Sequence, residues 1–213
     1  MLPMTEQQQS HARAAIESKR GVVSAVGMAV LEAVTSSRIN YWLAYAFDLA
    51  SPLVMAYLGW RLGSGHWSMG AASFVAGAFV FSFIEYAMHR WLFHAPRSVA
   101  TAIHQTHHTA PLNALAIPCL CSPAAAFLIW SYLAPAAGEQ CAGFFGSGLL
   151  AGYFCYSLAH HLQHSIRIKA LPAQRLRRRW AAHAIHHGSG DRNFGVTSGL
   201  WDRVFGTYCA PKK

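Results

Sequence analysis

Four stretches of the chain are apolar almost without interruption, and each is close to the roughly 20 residues that carry a helix across about 30 Å of hydrocarbon. They run over 41–60 (YWLAYAFDLASPLVMAYLGW), 68–88 (SMGAASFVAGAFVFSFIEYAM), 114–134 (ALAIPCLCSPAAAFLIWSYLA) and 141–160 (CAGFFGSGLLAGYFCYSLAH). Pro118 and Pro123 predict a kinked or re-entrant start to the third. A fifth apolar run, 22–34 (VVSAVGMAVLEAV), is too short to span and contains Glu32, so it is expected as an interfacial or packed helix. The pattern predicts an all-α integral membrane protein with about four transmembrane helices. It divides into an N-terminal segment, 1–40, and one four-span domain, 41–213.

Composition agrees with that reading. Hydrophobic residues make up 54% of the 213 and charged residues 12%, against about a quarter charged in an ordinary soluble domain. A net charge of +9 would suit a nucleic-acid binder if it were spread over a polar domain. It is not spread: with four spans, sixteen of the seventeen Lys and Arg residues fall on one side, and only Arg61 falls on the other. The positive-inside rule then places both termini in the cytoplasm and makes nucleic acid an unexpected partner. The first twenty residues lack the apolar core of a signal peptide, so no cleavage is expected. The five cysteines form no C-x-x-C pair, and four lie in or beside the spans; reduced packing residues are expected.

The thirteen histidines change the picture most. Eleven fall in four clusters, HRWLFH (His89, His94), HQTHH (His104, His107, His108), HHLQH (His160, His161, His164) and HAIHH (His183, His186, His187). The first two follow the second span and the last two follow the fourth, so all four emerge on the cytoplasmic side. H-x-x-H-H on a helix presents three imidazoles in one direction, and His160 and His164 share a face. His89 and His94 are five apart, which on a regular helix turns them toward different ions. His11 and His66 stand alone and His161 lies on a different face from its neighbours. Bare imidazoles crowded at a membrane surface are costly unless something satisfies them, and ten are too many for one ion. A pair of metals follows. The chain has eight acidic residues, too few for a ferritin-type carboxylate site, and no H-E-x-x-H for a zinc protease. All-imidazole ligation suits iron, zinc, copper or nickel.

The order H-x4-H after a transmembrane Glu85, H-x-x-H-H, H-x3-H and a final H-x-x-H-H, closed by NFGVTSGLWDRVFGTY at 193–208, resembles the fatty acid hydroxylase and sterol desaturase superfamily over residues 80 to 208. The resemblance implies a four-span core under a cytoplasmic helical, histidine-rich cap. It implies a di-iron centre using dioxygen and external electrons to hydroxylate or desaturate lipids. Position by position it implies His89, His94, His104, His107, His108, His160, His164, His183, His186 and His187 as ligands. One metal would take His89, His104, His107, His164 and His183, and the other His94, His108, His160, His186 and His187. Zinc can replace iron in purified protein. The chain departs from the family at Ser157, often acidic, at His161, often aromatic, and at Ser165, often histidine.

The expected function is therefore a membrane-bound di-iron, dioxygen-dependent hydroxylase of an aliphatic C–H in a fatty acyl chain or related lipid. Desaturation is the alternative within the superfamily. A histidine-lined metal transporter is the alternative outside it, and would need its ligands within the spans. No G-x-G-x-x-G or haem-binding module accompanies the boxes, so a separate electron-donor protein is expected as a partner. Arg175, Arg177, Arg178 and Arg179 form either its docking patch or a positive-inside anchor. Glu85 is expected either to hydrogen-bond a ligand imidazole or to meet Arg90 or water. Trp201, Asp202 and Arg203 are expected to lock the tail against the domain.

Overall fold

In the computed structural model the described residues are 27, 29–63, 65–94, 99–111 and 116–211, and every regular element among them is helical. Helix α1 covers residues 29–35, and it is followed by α2 (Arg38–Arg61) and α3 (Trp67–Ala87), which runs directly into a π-helical turn, Met88–Phe93. Then come α4 (Val99–Thr109), α5 (Cys121–Ala137), α6 (Glu139–Ser165), a 3-10 turn (Ile168–Ala170), α7 (Gln174–Ser189) and α8 (Leu200–Val204). Of the helix expected over 22–34, residues 22–26 and 28 lie outside the described residues, as does His11.

All four apolar stretches are helical in their greater part, with two qualifications. Only the continuous helices Trp67–Phe93 and Glu139–Ser165 are, among the described residues, long and apolar enough to cross a membrane. Helix α2 carries Asp48 near its middle, and α5 is shortened to 17 residues. The third stretch begins in irregular backbone at 116–120 and turns helical only at Cys121, because Pro118 supplies no N–H and Asn40 captures the chain first. The Asn40 amide donates to the carbonyls of Ala116 and Ile117 and its oxygen accepts from the Cys119 N–H. One buried side chain thus fixes this connection against the start of α2, which is itself capped by Ser37.

Helix α6 is the central element, packed most extensively on α3 and then on α2 and α5. Glycines set the spacing: a Cβ on Gly59 would come within 3.1 Å of the Gly143 backbone, and one on Gly148 would collide with the Phe74 carbonyl. Small residues at such crossings let backbones approach where lipid gives no hydrophobic drive. The outward faces are greasy, with Trp42, Leu53, Val75 and Phe127 all more than half exposed. An apolar exterior of this extent is what hydrocarbon, not water, would cover.

Candidate metal centre

The histidine clusters meet at the end of the bundle where α3 and α6 finish. His89 lies in the π turn and His94 caps it, α4 and α7 carry the two H-x-x-H-H boxes, and the last turns of α6 carry His160 and His164. The ten imidazoles form two groups of five, His89, His94, His104, His108 and His186, and His107, His160, His164, His183 and His187. Within each group one ring nitrogen per residue lies within 4.8 Å of every other. The groups abut, with the rings of His108 and His187 stacked at 4.3 Å.

Helical phase explains the division. At about 100° per residue, the first and last histidines of an H-x-x-H-H box stand about 40° apart while the middle one points about 60° to the other side. Each box therefore gives an i, i+4 pair to one group and its middle histidine to the other: His104 and His108 against His107, His183 and His187 against His186. This corrects the division implied by resemblance, which joined His89 and His104 with His107, His164 and His183. It also corrects the expectation that His89 and His94 serve different groups. The i→i+5 turn of Met88–Phe93 brings residues five apart onto one side, as an α-turn does for His160 and His164.

Carbonyl oxygens fix two of the rings. Since a carbonyl only accepts, His89 Nδ1–H donates to the Phe194 carbonyl at 2.5 Å and His186 Nδ1–H donates to the Arg192 carbonyl at 2.8 Å. The Nε2 lone pair of each neutral ring is thereby aimed into the first group. There His104 Nε2 has the Nε2 atoms of His89, His94 and His108 at 3.1, 3.1 and 3.0 Å, more neighbours than its single proton can serve. In the second group His183 and His164 stand 2.9 Å apart through Nε2, and the buried Nε2 atoms of His107 and His187 have no hydrogen-bond partner among the described residues. Convergent lone pairs and orphaned buried nitrogens are what a cation resolves. The two groups are consistent with a di-metal site, and their donors do not distinguish iron from zinc.

Burial keeps these rings neutral and ready to donate. Desolvation, followed by the repulsion of neighbouring imidazoles, pushes His104 and His187 down to about 2 and His107 to about 3 from an ordinary 6.5. His186 falls to about 4, with its carbonyl bond partly opposing burial.

The carbonyls arrive on a loop built for the purpose. Gly190, at φ 70°, ends α7 in the left-handed region and reverses the chain, so that Arg192 returns to His186. Asn193, also at positive φ, donates to the carbonyls of Ala182 and Cys209 and accepts from the Cys209 N–H. Asp202 accepts from the amides of Phe194 and Gly195, while Trp201 donates to Ser82 and Arg203 lies over the Tyr208 ring. This is the tail lock expected of residues 201–203. Sequence reasoning did not identify Arg192 and Phe194, because a carbonyl carries no residue-type signature; the NFG triplet was the available signal. Glu85 plays neither expected part. It accepts from the amides of Val196 and Thr197 and from the Thr197 hydroxyl, while Arg90 donates to Tyr86.

Beside the second group lies a cavity of about 720 Å³ whose wall includes His104, His107, His160 and His164 together with Trp42, Phe93 and Ile103. Tyr156 stacks on His160 with rings 10° from parallel. His161 belongs to neither group and lines the cavity instead, against Tyr41. His66 precedes α3, and its backbone N–H donates to Gln140.

The sequence model of the fatty acid hydroxylase family matches residues 74–207. The ceramide very long chain fatty acid hydroxylase SCS7 of Saccharomyces cerevisiae is 34% identical over 183 residues, covering 75% of this chain and 44% of that protein. The dihydroceramide fatty acyl 2-hydroxylase FAH1 of Arabidopsis thaliana is 31% identical over 142 residues, covering 62% and 59%. The chain thus spans about half the length of these relatives. A solved structure of full-length scs7p, in which only the hydroxylase domain is visible, superposes with a TM-score of 0.66 at 30% identity, over 86% of this chain and 71% of that one. With the family model matching well over half of its length and the same fold seen in a member's hydroxylase domain, the chain belongs to the fatty acid hydroxylase family.

Proposed function

We propose that the protein is a membrane-bound, di-iron, dioxygen-dependent hydroxylase of an aliphatic C–H in a fatty acyl lipid. The observation that carries this reading is the placement of four histidines from the two groups on the wall of a cavity otherwise lined largely by apolar and aromatic side chains. A saturated carbon has no acidic proton and no leaving group, so acids, bases and nucleophiles cannot attack it. Iron, with dioxygen and two electrons from a separate donor protein, would supply the oxidant, leaving one oxygen atom on carbon and one in water.

The residues of the chain do the rest. The ten histidines would hold the metals, five to each. The Phe194 and Arg192 carbonyls orient His89 and His186, and Asn193, Asp202 and Glu85 hold the loop that carries those carbonyls. Phe93, Trp42 and Ile103 would exclude water and bind the acyl chain along the cavity. In this reading α2, α3, α5 and α6 all lie in the bilayer, with both termini and the histidines on the cytoplasmic side, where sixteen of the seventeen basic residues fall.

The test is lipid mass spectrometry of cells expressing the protein or its His107→Ala/His186→Ala variant. The expected product is an acyl lipid heavier by one oxygen, absent with the variant. A product lighter by two hydrogens would make the enzyme a desaturase. No change with metal-loaded protein and a competent reductant would refute the reading.

A further inference from the structure

The cavity has a second polar wall that neither histidine group uses. His161 Nδ1 meets the Tyr41 hydroxyl at 2.5 Å and its Nε2 faces the Ser165 hydroxyl at 3.3 Å. Arg38 lies one turn before Tyr41 on α2, lines the same cavity, is exposed, and has no hydrogen-bond or ion-pair partner among the described residues. Among the described residues it is the only lysine or arginine on that wall. Asp48, the one carboxylate there among the described residues, is bonded to Ser122 and sits ten residues, about 15 Å, further along α2. Among the described residues, nothing within the cavity neutralises the charge of Arg38.

We propose that Arg38, Tyr41 and His161 form a carboxylate site, so that this chain takes its acyl substrate as the free anionic acid and not as a neutral amide. A guanidinium offers a carboxylate paired hydrogen bonds and full charge complementarity, whereas an amide-linked acyl group brings no charge to it. Tyr41, held in place by His161, adds its hydroxyl beside it. The site also dictates where the chain is attacked. His160 and His164 line the same cavity as His161, so a carboxylate held there puts the first carbons of the chain beside the second group, and the tail runs on between Trp42, Phe93 and Ile103. The inference rests on the hydroxylase reading only for what happens to the bound lipid; the binding preference stands separately.

The test uses the full-length, metal-loaded protein in a neutral detergent. Displacement of a fluorescent fatty acid is measured with a 16-carbon acid, its primary amide, and an anionic phospholipid. The acid should bind at least about tenfold more tightly than the amide. Arg38→Gln should bring that ratio close to one without changing amide affinity or metal content, and Arg38→Lys should restore part of it. Equal affinity of acid and amide in the unmodified protein, or a ratio that survives Arg38→Gln, would overturn the proposal. Displacement by the phospholipid as effective as by the acid would make Arg38 a headgroup anchor and likewise overturn it. A clear acid preference in a protein that hydroxylates neither compound would leave this site standing and refute the hydroxylase reading instead.

Discussion

The carboxylate of Glu85 and the backbone N–H of Val196, 111 positions apart in sequence, are joined by a hydrogen bond of 2.6 Å. This bond ties the end of a long apolar helix to the loop whose Phe194 carbonyl orients His89, so a residue outside both histidine groups helps to set the angle of a ring within one.

Replacing Glu85 with alanine should therefore act twice. It strands the amides of Val196 and Thr197, at a cost of about 1–3 kcal/mol each when buried donors go unpaired, and it loosens the Phe194 carbonyl on His89. Melting temperature and metal content should both fall. Glu85→Gln keeps one amide-accepting oxygen and should retain most of each. A Glu85→Ala protein with normal melting and full metal would show that the loop is held by other contacts.

The two histidines whose rings stack where the groups abut separate those groups experimentally. His108→Ala and His187→Ala each remove one donor from a different group, and each should lower bound metal from about two ions per chain toward about one. His161→Ala should leave metal content unchanged, because its ring lies in neither group. Elemental analysis decides the matter, with zinc counted together with iron. Loss of metal in His161→Ala would contradict the grouping.

Acid should destabilise the metal-free protein early. Unfolded histidines take up protons near 6.5, whereas folded His104, His107, His186 and His187 resist to between about 2 and about 4. Between these values the unfolded chain binds more protons, so stability rises with pH. It should be complete above 6.5 and decline steadily as pH falls below it. Thermal melts of metal-stripped protein at stepwise lower pH read this directly. A flat profile from pH 7.5 to 5 would mean that the rings are more solvated than the packing implies.

The basic face of α7 is smaller than its composition. Arg175, Arg177 and Arg178 are exposed, whereas Arg179 is half-buried, its charge disfavoured by burial and partly favoured by the field of Glu85. Changing the first three to glutamine should slow turnover several-fold with an acidic protein donor at low salt, with the difference fading as salt rises. A chemical reductant should restore the rate. Arg179→Gln should instead lower the melting temperature. Unchanged turnover of the triple variant at low salt would place donor docking elsewhere.

What could be read from the sequence followed from side-chain identity and period. The apolar stretches predicted helices that the structure contains, and ten of the eleven clustered histidines are those brought together, His161 being the one set apart. The division into groups was not legible, because it depends on a local change of helical pitch that the letters of MHRWLF do not announce. Glu85 was misread because its partners are backbone amides more than a hundred residues away. The cavity was not foreseen either, since Asn40 builds one of its edges by holding carbonyls of residues 116 and 117.

The π turn at Met88–Phe93 bears on how the two halves of the centre are related. An H-x4-H pair wound on an i→i+5 turn and an H-x3-H pair wound on an i→i+4 turn deliver two imidazoles to the same side. His89/His94 and His160/His164 are in that sense one pairing device, written once with an inserted residue and once without. Chain length there is negotiable and angular phase is not: a one-residue deletion between His89 and His94 that let the π turn relax to an α-turn would keep the pair aligned, while the same deletion inside either H-x-x-H-H box would scatter it. Box spacings that differ by one residue can thus encode the same geometry.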